Sequence, residues 1–217
     1  MIFNYHQIKN IGGYSKIMNI EKTISALKKN NYEVSFFKNA EDASQYLNSN
    51  LNDEYIGFGD SETMVHMNLF DMLSSHNKVV DPKHCASKGF YDTAVECLTT
   101  DVFFTSVNAL SETGEMVNID GTGNRVAGSL FGHKKVYFVV STNKIVPMLE
   151  DAIWRARNIA APSNAKRLGL RTPCAVKGDH CYNCSSPDRI CNGLLIYYKK
   201  MNHIDMEIVL IDEKLGF

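Results

Sequence analysis

The chain has 217 residues, 44% of them hydrophobic and 22% charged, which is enough to bury the core of one sizeable domain. Lys and Arg number 23 against 24 Asp and Glu, so there is no basic surplus to act as an electrostatic footprint for nucleic acid. No apolar run approaches membrane-spanning length, no secretory segment follows Met1 and no lipidation motif is evident, which predicts a soluble cytoplasmic protein without a membrane partner.

Residues 1–15 read as an extended lead-in that packs or swaps onto a neighbour. From Lys16, Ile17, Ile20, Ile24 and Leu27 recur at helical spacing, with lysines at the C-terminal end. Tyr32 to Phe37 reads as a strand, and Asn39 to Leu51 as a second helix with Ala43, Tyr46 and Leu47 inward. This alternation predicts a sheet with helices on its faces. Tyr55 to Phe58 is the next strand. It runs into Gly57-Phe58-Gly59-Asp60-Ser61-Glu62-Thr63 and a helix over Glu62 to Leu73. A strand, a glycine-rich turn, hydroxyls and a helix start form an anion site if the backbone N–H groups face a phosphate or carboxylate. A tight turn with Ser61 as a simple cap is the alternative. Lys78 to Val80 is a short strand, and Ser87 to Leu98 a helix. Cys85 and Cys97 read as buried thiols, and His66, His76 and His84 lack ligand spacing.

Val102 to Val107 is a strongly apolar strand leading to Asn108-Ala109-Leu110-Ser111-Glu112-Thr113-Gly114, and Met116 to Ile119 returns from a hairpin-like turn near Gly114. Asp120-Gly121-Thr122-Gly123-Asn124-Arg125 is a second glycine-rich turn before a helix over Arg125 to Leu130. Lys135 to Ser141 alternates as a strand. Pro147 opens a helix over Met148 to Ala161 with Trp154 on its apolar face. Leu194 to Tyr198 and Met206 to Ile211 read as an antiparallel pair completing the sheet. The loops 57–63, 108–114 and 120–125 all follow strands, and ligands of open α/β sheets bind beyond strand C-terminal ends. The candidate residues for a small carboxylate- or phosphate-bearing substrate are Gly57, Gly59, Ser61, Thr63 and Asn108, with Gly121, Asn124, Arg125 and Lys144. Arg125 and Lys144 would neutralise an acidic ligand or else pair with local acids. Glu112, beside Thr113, is the candidate nucleophile or acid–base group; a turn or capping role is its alternative.

Four of the six cysteines, Cys174, Cys181, Cys184 and Cys191, fall in one stretch with spacing C-x6-C-x2-C-x6-C. A Cys-x-x-Cys pair puts two thiolates on one turn, and flanking cysteines can complete a tetrahedron. An iron–sulfur cluster, of the 4Fe–4S kind, is the first reading, structural zinc the second and unligated thiols the third. Disulfides do not suit a chain of this composition without a secretory segment. The stretch lies between core elements, where it can cover the same end of the sheet as the three loops.

With these residues in view, the chain resembles the LUD family, the lactate-utilisation domain proteins formerly grouped as a domain of unknown function. The resemblance rests on Gly57 through Thr63, on Ser111-Glu112-Thr113-Gly114, and on Gly121 through Arg125 to Lys144-Ile145-Val146. It implies one domain over residues 1–217 with a cysteine-rich insertion over 172–192. The implied fold is the open, mostly parallel sheet with helices on both faces of the sugar-phosphate isomerase and CoA-transferase group. In that group Gly-x-Gly-x-Ser-x-Thr binds phosphate, and a Ser-Glu-Asn-Gly motif carries a nucleophilic glutamate; Thr113 stands where that motif has asparagine. The resemblance also implies a homodimer, a cysteine-rich tail like that of one branch of the family, and action beside an iron–sulfur oxidoreductase partner in oxidising lactate to pyruvate. The favoured function is therefore an iron–sulfur LUD protein serving oxidation of lactate or a related hydroxy acid. Two other readings stand beside it. One is a redox-inactive isomerase or acyl transferase using Glu112 with zinc as a staple. The other is a ligand-binding module that senses redox state.

Overall fold

A computed structural model describes residues 19–85 and 88–217; the lead-in and the start of the helix expected from Lys16 lie outside the described residues, as does Ser87. Helix α1 spans Ile20–Lys29, where Asn19 stops the helix from extending further back by accepting a hydrogen bond from Lys22 N at 2.8 Å. Strand β1 (Glu33–Phe37) and helix α2 (Ala40–Asn50, capped by Asn39) follow. Next come β2 (Tyr55–Phe58), α3 (Glu62–His66), α4 (Leu69–Ser74) and β3 (Lys78–Val80). The single helix expected over Glu62 to Leu73 is thus two short ones. Asn68 at φ 52° takes the left-handed conformation that breaks the ladder. Helix α5 (Phe90–Cys97) starts only after Gly89, whose φ is 83°. Then come β4 (Val102–Thr105), β5 (Ala109–Ser111), β6 (Met116–Asp120), α6 (Asn124–Leu130), β7 (Lys135–Ser141) and β8 (Ile145–Val146).

Helix α7 (Leu149–Arg155) continues through a π-helical turn, Ala156–Ala160, into α8 (Ala161–Arg167). The expected stop at Ala161 does not occur, because the wide turn shifts the register ahead of Pro162, which has no N–H to donate. Trp154 is 45% exposed, contrary to expectation; the buried face of this helix is made by Ala152, Ala156 and Ala160. Helix α9 (Pro173–Lys177), the cysteine stretch, β9 (Gly193–Tyr197) and β10 (Asp205–Ile211) end the described order.

Among the described residues, six strands form a wholly parallel sheet in the order β1-β10-β7-β4-β2-β3. Alternate residues face two separate cores. Phe103, Val136, Phe138, Met206 and Ile208 meet Leu27 of α1 and Cys97 of α5. Phe104, Tyr137, Val139, Val209 and Ile211 meet Leu47 of α2 and Leu73 of α4. Burial on both faces explains why β4, β7 and β10 are near-continuous apolar runs. It also explains why the final two strands do not pair with each other. β10, apolar on both sides, inserts between β1 and β7. β9, with its half-exposed Leu194, joins a second sheet in the order β8-β5-β6-β9. The expected hairpin is real but is built by β5 and β6, while β4 belongs to the large sheet. The second sheet turns Leu110 and Met116 toward the first core and Ala109, Val117 and Ile119 toward α7.

Candidate functional site

Beyond the C-terminal ends of the adjacent strands β2, β4 and β7 lies a cleft of about 430 Å³. The loop after β2 contributes Ser61 and Thr63, the loop after β4 contributes Ser106 and Asn108, and the turn after β6 contributes Gly121, Asn124 and Arg125. Lys144, on the turn between β7 and β8, forms the floor. Of the three expected loops, 57–63 and 120–125 meet here, while 108–114 contributes Asn108 alone. The far wall comes from Ala160, Ala161 and Asn164 on the π-turn and α8, and from Arg189 and Ile190 of the cysteine stretch.

Lys144 is 3% exposed, and its Nζ donates to Thr63 Oγ1 at 2.8 Å and to Ser106 Oγ at 2.9 Å. Ser106 Oγ in turn donates to Val139 O at 2.6 Å, so its lone pairs are turned to the lysine. Among the described residues no carboxylate comes within 4.0 Å of Nζ. Burial, with the charges of Arg155 and Arg125 added to it, lowers the pKa of Lys144 to about 7. Arg155 is buried as well. Its guanidinium donates to Asn108 O and, at 3.2 Å, to Asn143 O, and burial lowers its pKa to about 10. It ties the β4–β5 loop to the turn carrying Lys144. Asn118, fully buried on β6, completes this frame: its Nδ2 donates to Ser106 O at 3.1 Å and its Oδ1 accepts from Asn108 N at 3.0 Å. Sequence reasoning missed Ser106, Asn118 and Arg155, because each acts through partners distant in the chain. The place of Ser106, just past a strand end, is the one local signal that points to it.

Of the other cations near the cleft, Arg125, Lys83 and Arg167 pair with carboxylates, whereas Arg155 and Arg189 donate to backbone carbonyls. Arg125 Nε lies 3.5 Å from Asp120 Oδ2, and its Nη2 donates to Ile119 O at 2.6 Å. Glu62 pairs with Lys83 and with Arg167 (3.2 Å), and Lys83 also pairs with Asp60 at 3.3 Å. Lys144 is a buried cation that lines the cleft and whose described partners are neutral hydroxyls.

Four of the residues singled out from the sequence sit elsewhere. Gly57 and Gly59 do not line the cleft. A Cβ on Gly57 would come within 2.7 Å of Thr100 Oγ1 and 2.8 Å of Cys97 O, and one on Gly59 would come within 2.9 Å of the Phe103 ring. The Gly-x-Gly spacing here serves close packing between β2, α5 and β4. Glu112 and Thr113 lie in the β5–β6 turn against α1. Glu112 is 4% exposed, pairs with Lys22 Nζ at 3.1 Å and accepts from Asn19 N at 3.2 Å. Thr113 Oγ1 is 2.9 Å from Ser111 Oγ, and both hydroxyls donate to Glu115.

The thiols of Cys174, Cys181, Cys184 and Cys191 are free and half-buried. Burial raises the pKa of Cys191. Arg189 opposes this, while Cys181 and Cys184 are near enough to push the same way as burial. Asn183 N donates to Cys181 Sγ at 3.4 Å, and the Thr172 hydroxyl is 3.3 Å from Cys174 Sγ. An amide bond to one sulfur, a hydroxyl beside another and a neighbouring guanidinium suit thiolate ligands of a cluster or of zinc. As folded here, no three His, Cys, Asp or Glu among the described residues are arranged to hold a metal ion, so ligation requires the stretch to draw in. The stretch is fastened to the cleft. Arg189 donates to Cys184 O and to Cys191 O (3.1 Å), Asn192 N donates to Asp120 O at 3.0 Å, and Gly121 packs directly on Ile190. Cys97 is fully buried as expected, its thiol raised to about 12 by burial, and Cys85 is half-buried.

The LUD domain profile matches residues 20–211, nearly all of the described fold. The chain belongs to the LUD domain family. A crystal structure described as a DUF162 family protein from Deinococcus radiodurans superposes with a TM-score of 0.50 over 88% of this chain and 94% of that one, at 11% identity. At that identity the likeness bears on the fold, which is the expected α/β architecture with a mostly parallel sheet. Among curated proteins there is no match. No helix among the described residues of this LUD protein is long and apolar enough to cross a membrane.

Proposed function

We propose that this LUD protein binds a small organic acid, a hydroxy acid such as lactate or its oxidised counterpart, in the cleft beyond β2, β4 and β7. The observation that supports this reading is Lys144: a buried ammonium facing the cleft with hydroxyl partners and no described carboxylate. Leaving a buried charge without a counter-ion is costly, and an incoming carboxylate would relieve that cost. Asn108, Asn124 and Arg125 would orient the remaining polar groups of the ligand.

The cysteine stretch is proposed to hold an iron–sulfur cluster, with Cys174, Cys181, Cys184 and Cys191 as its thiolates; such a group supplies one-electron transfer when bound. What the chain itself does in this reading is bind and orient the acid and keep Arg189 between the thiols and the cleft. The test has two parts. Calorimetry with lactate, pyruvate and inorganic phosphate on the purified chain should show binding of the carboxylates; heats at the buffer baseline for all would remove the reading. Iron, labile sulfide and zinc are then measured on protein prepared without oxygen. Stoichiometric zinc and a colourless protein would replace the cluster with a structural site.

A further inference from the structure

Lys144 need not serve only as a charge. A lysine becomes a nucleophile when burial, or a second cation nearby, keeps its amine from holding a proton. Both conditions meet here. The side chain is 3% exposed yet lines the cleft, and the guanidinium charges of Arg125 and Arg155 bear on it. Thr63 Oγ1 and Ser106 Oγ fix the position of Nζ from one side, which leaves the cleft side for a reacting group. Lys83 lacks this combination, because it is paired with Asp60 and Glu62.

From this geometry we infer that Lys144 forms an imine with the carbonyl carbon of a small 2-oxo acid bound in the cleft. The inference rests on the proposal that the cleft takes a small organic acid, and adds the class of acid and the reacting atom. The unprotonated Nζ adds to the carbonyl carbon, forming the C–N bond, and the carbonyl oxygen leaves as water with the two amine hydrogens. No oxidant or reductant is consumed. The carboxylate of the acid would lie toward Arg125, one of the arginines that line the cleft with Lys144. A hydroxy acid offers no carbonyl and would be held by charge alone, so the two oxidation states of one acid would be told apart at a single atom. Once formed, the imine withdraws electrons from the carbon next to the former carbonyl and loosens its hydrogens.

The experiment is borohydride trapping on the full chain with pyruvate, glyoxylate and 2-oxobutyrate, followed by peptide mapping. Alongside it, loss of the pyruvate methyl proton signal in deuterated water is followed, and binding of the same acids is measured by calorimetry. The expected result is a reduced adduct on the peptide carrying Lys144 and accelerated methyl exchange. Both should be lost in Lys144→Arg, which keeps the charge but cannot form the imine. Calorimetric binding without an adduct at Lys144, or an adduct spread over surface lysines, would overturn the imine and leave the cleft proposal standing. Absence of binding by all three acids would overturn both. The mapping is done on the wild-type chain, so it decides the point even if the variant fails to fold.

Discussion

Lys144 carries opposite signs for stability and for function. Its folded pKa, about 7, is below the ordinary 10.5, so between these values the unfolded chain holds more protons than the folded one and stability rises with pH. The destabilising contribution is full below pH 7 and fades as pH approaches 10.5. Lys144→Met, of similar shape, should therefore raise the melting temperature at pH 6 while lowering affinity for lactate by roughly tenfold or more, the size of a lost charge-assisted contact. Scanning calorimetry and titration on the same variant check the two halves. In the wild type the sign for ligand is reversed. A hydroxy-acid anion such as lactate, held by charge alone, favours protonated Lys144, so its affinity should fall by up to about tenfold per pH unit above 7, with proton uptake visible as a buffer-dependent heat.

Glu112 makes the complementary case. Its carboxylate is buried in the β5–β6 turn against Lys22 and Asn19, away from the cleft lining. Glu112→Gln should lower stability by about 1–2 kcal/mol, as expected when a charge-assisted bond at a buried group is weakened. Affinity for organic acids should be unchanged. A large loss of binding with unchanged denaturant midpoint would return this residue to the site. Proximity in the sequence to glycine and hydroxyls was a fair signal for a functional carboxylate, yet the same residue types also build a self-satisfied turn. Only the position of α1 distinguishes the two.

At the scale of elements, glycines that look like ligand contacts are packing devices. Gly57 in β2 lies against α5 and Gly59 against the Phe103 ring; Gly128 in α6, which was no ligand candidate, meets the same ring, where a Cβ would approach to 2.6 Å. Gly57→Ala and Gly128→Ala should each destabilise by about 1–3 kcal/mol through overpacking, measurable by urea denaturation. A helix boundary was legible at Asn39, which opens the expected second helix and caps α2, and the periodicity of Ile20, Ile24 and Leu27 is that of a helix with one buried stripe. Boundaries were not legible where the determinant is conformational. Asn68 in the left-handed region and the π-turn before Pro162 arise from packing, and neither residue type announces them.

At the scale of the molecule, Arg189 and Asn192 join the cysteine stretch to the wall of the cleft. Metal that binds the folded stretch should raise the melting temperature by mass action, and a chelator should return it to the metal-free value. Arg189→Ala should weaken both metal retention and acid binding, whereas substituting the exposed Arg171, which pairs with Asp188 outside the cleft, should leave acid binding alone. Metal analysis by mass spectrometry and calorimetry on the two variants separate these outcomes.

By itself, the chain's residue pattern determined the α/β class, most strands, the placing of polar loops 57–63 and 120–125 after strands, and the grouping of four cysteines along the sequence. These are set by local periodicity, turn chemistry and spacing, which act over a few residues. Tertiary structure decided the rest. It placed β10 between β1 and β7 because that strand is apolar on both faces, and sent β9 to a second sheet because it is not. It turned Glu112 toward α1, gathered Thr63, Ser106 and Lys144 from three separate loops, and put Arg155 beneath them. A lysine's charge state and reactivity depend on what surrounds it in space, and at Lys144 those surroundings are contributed by residues up to 81 positions away.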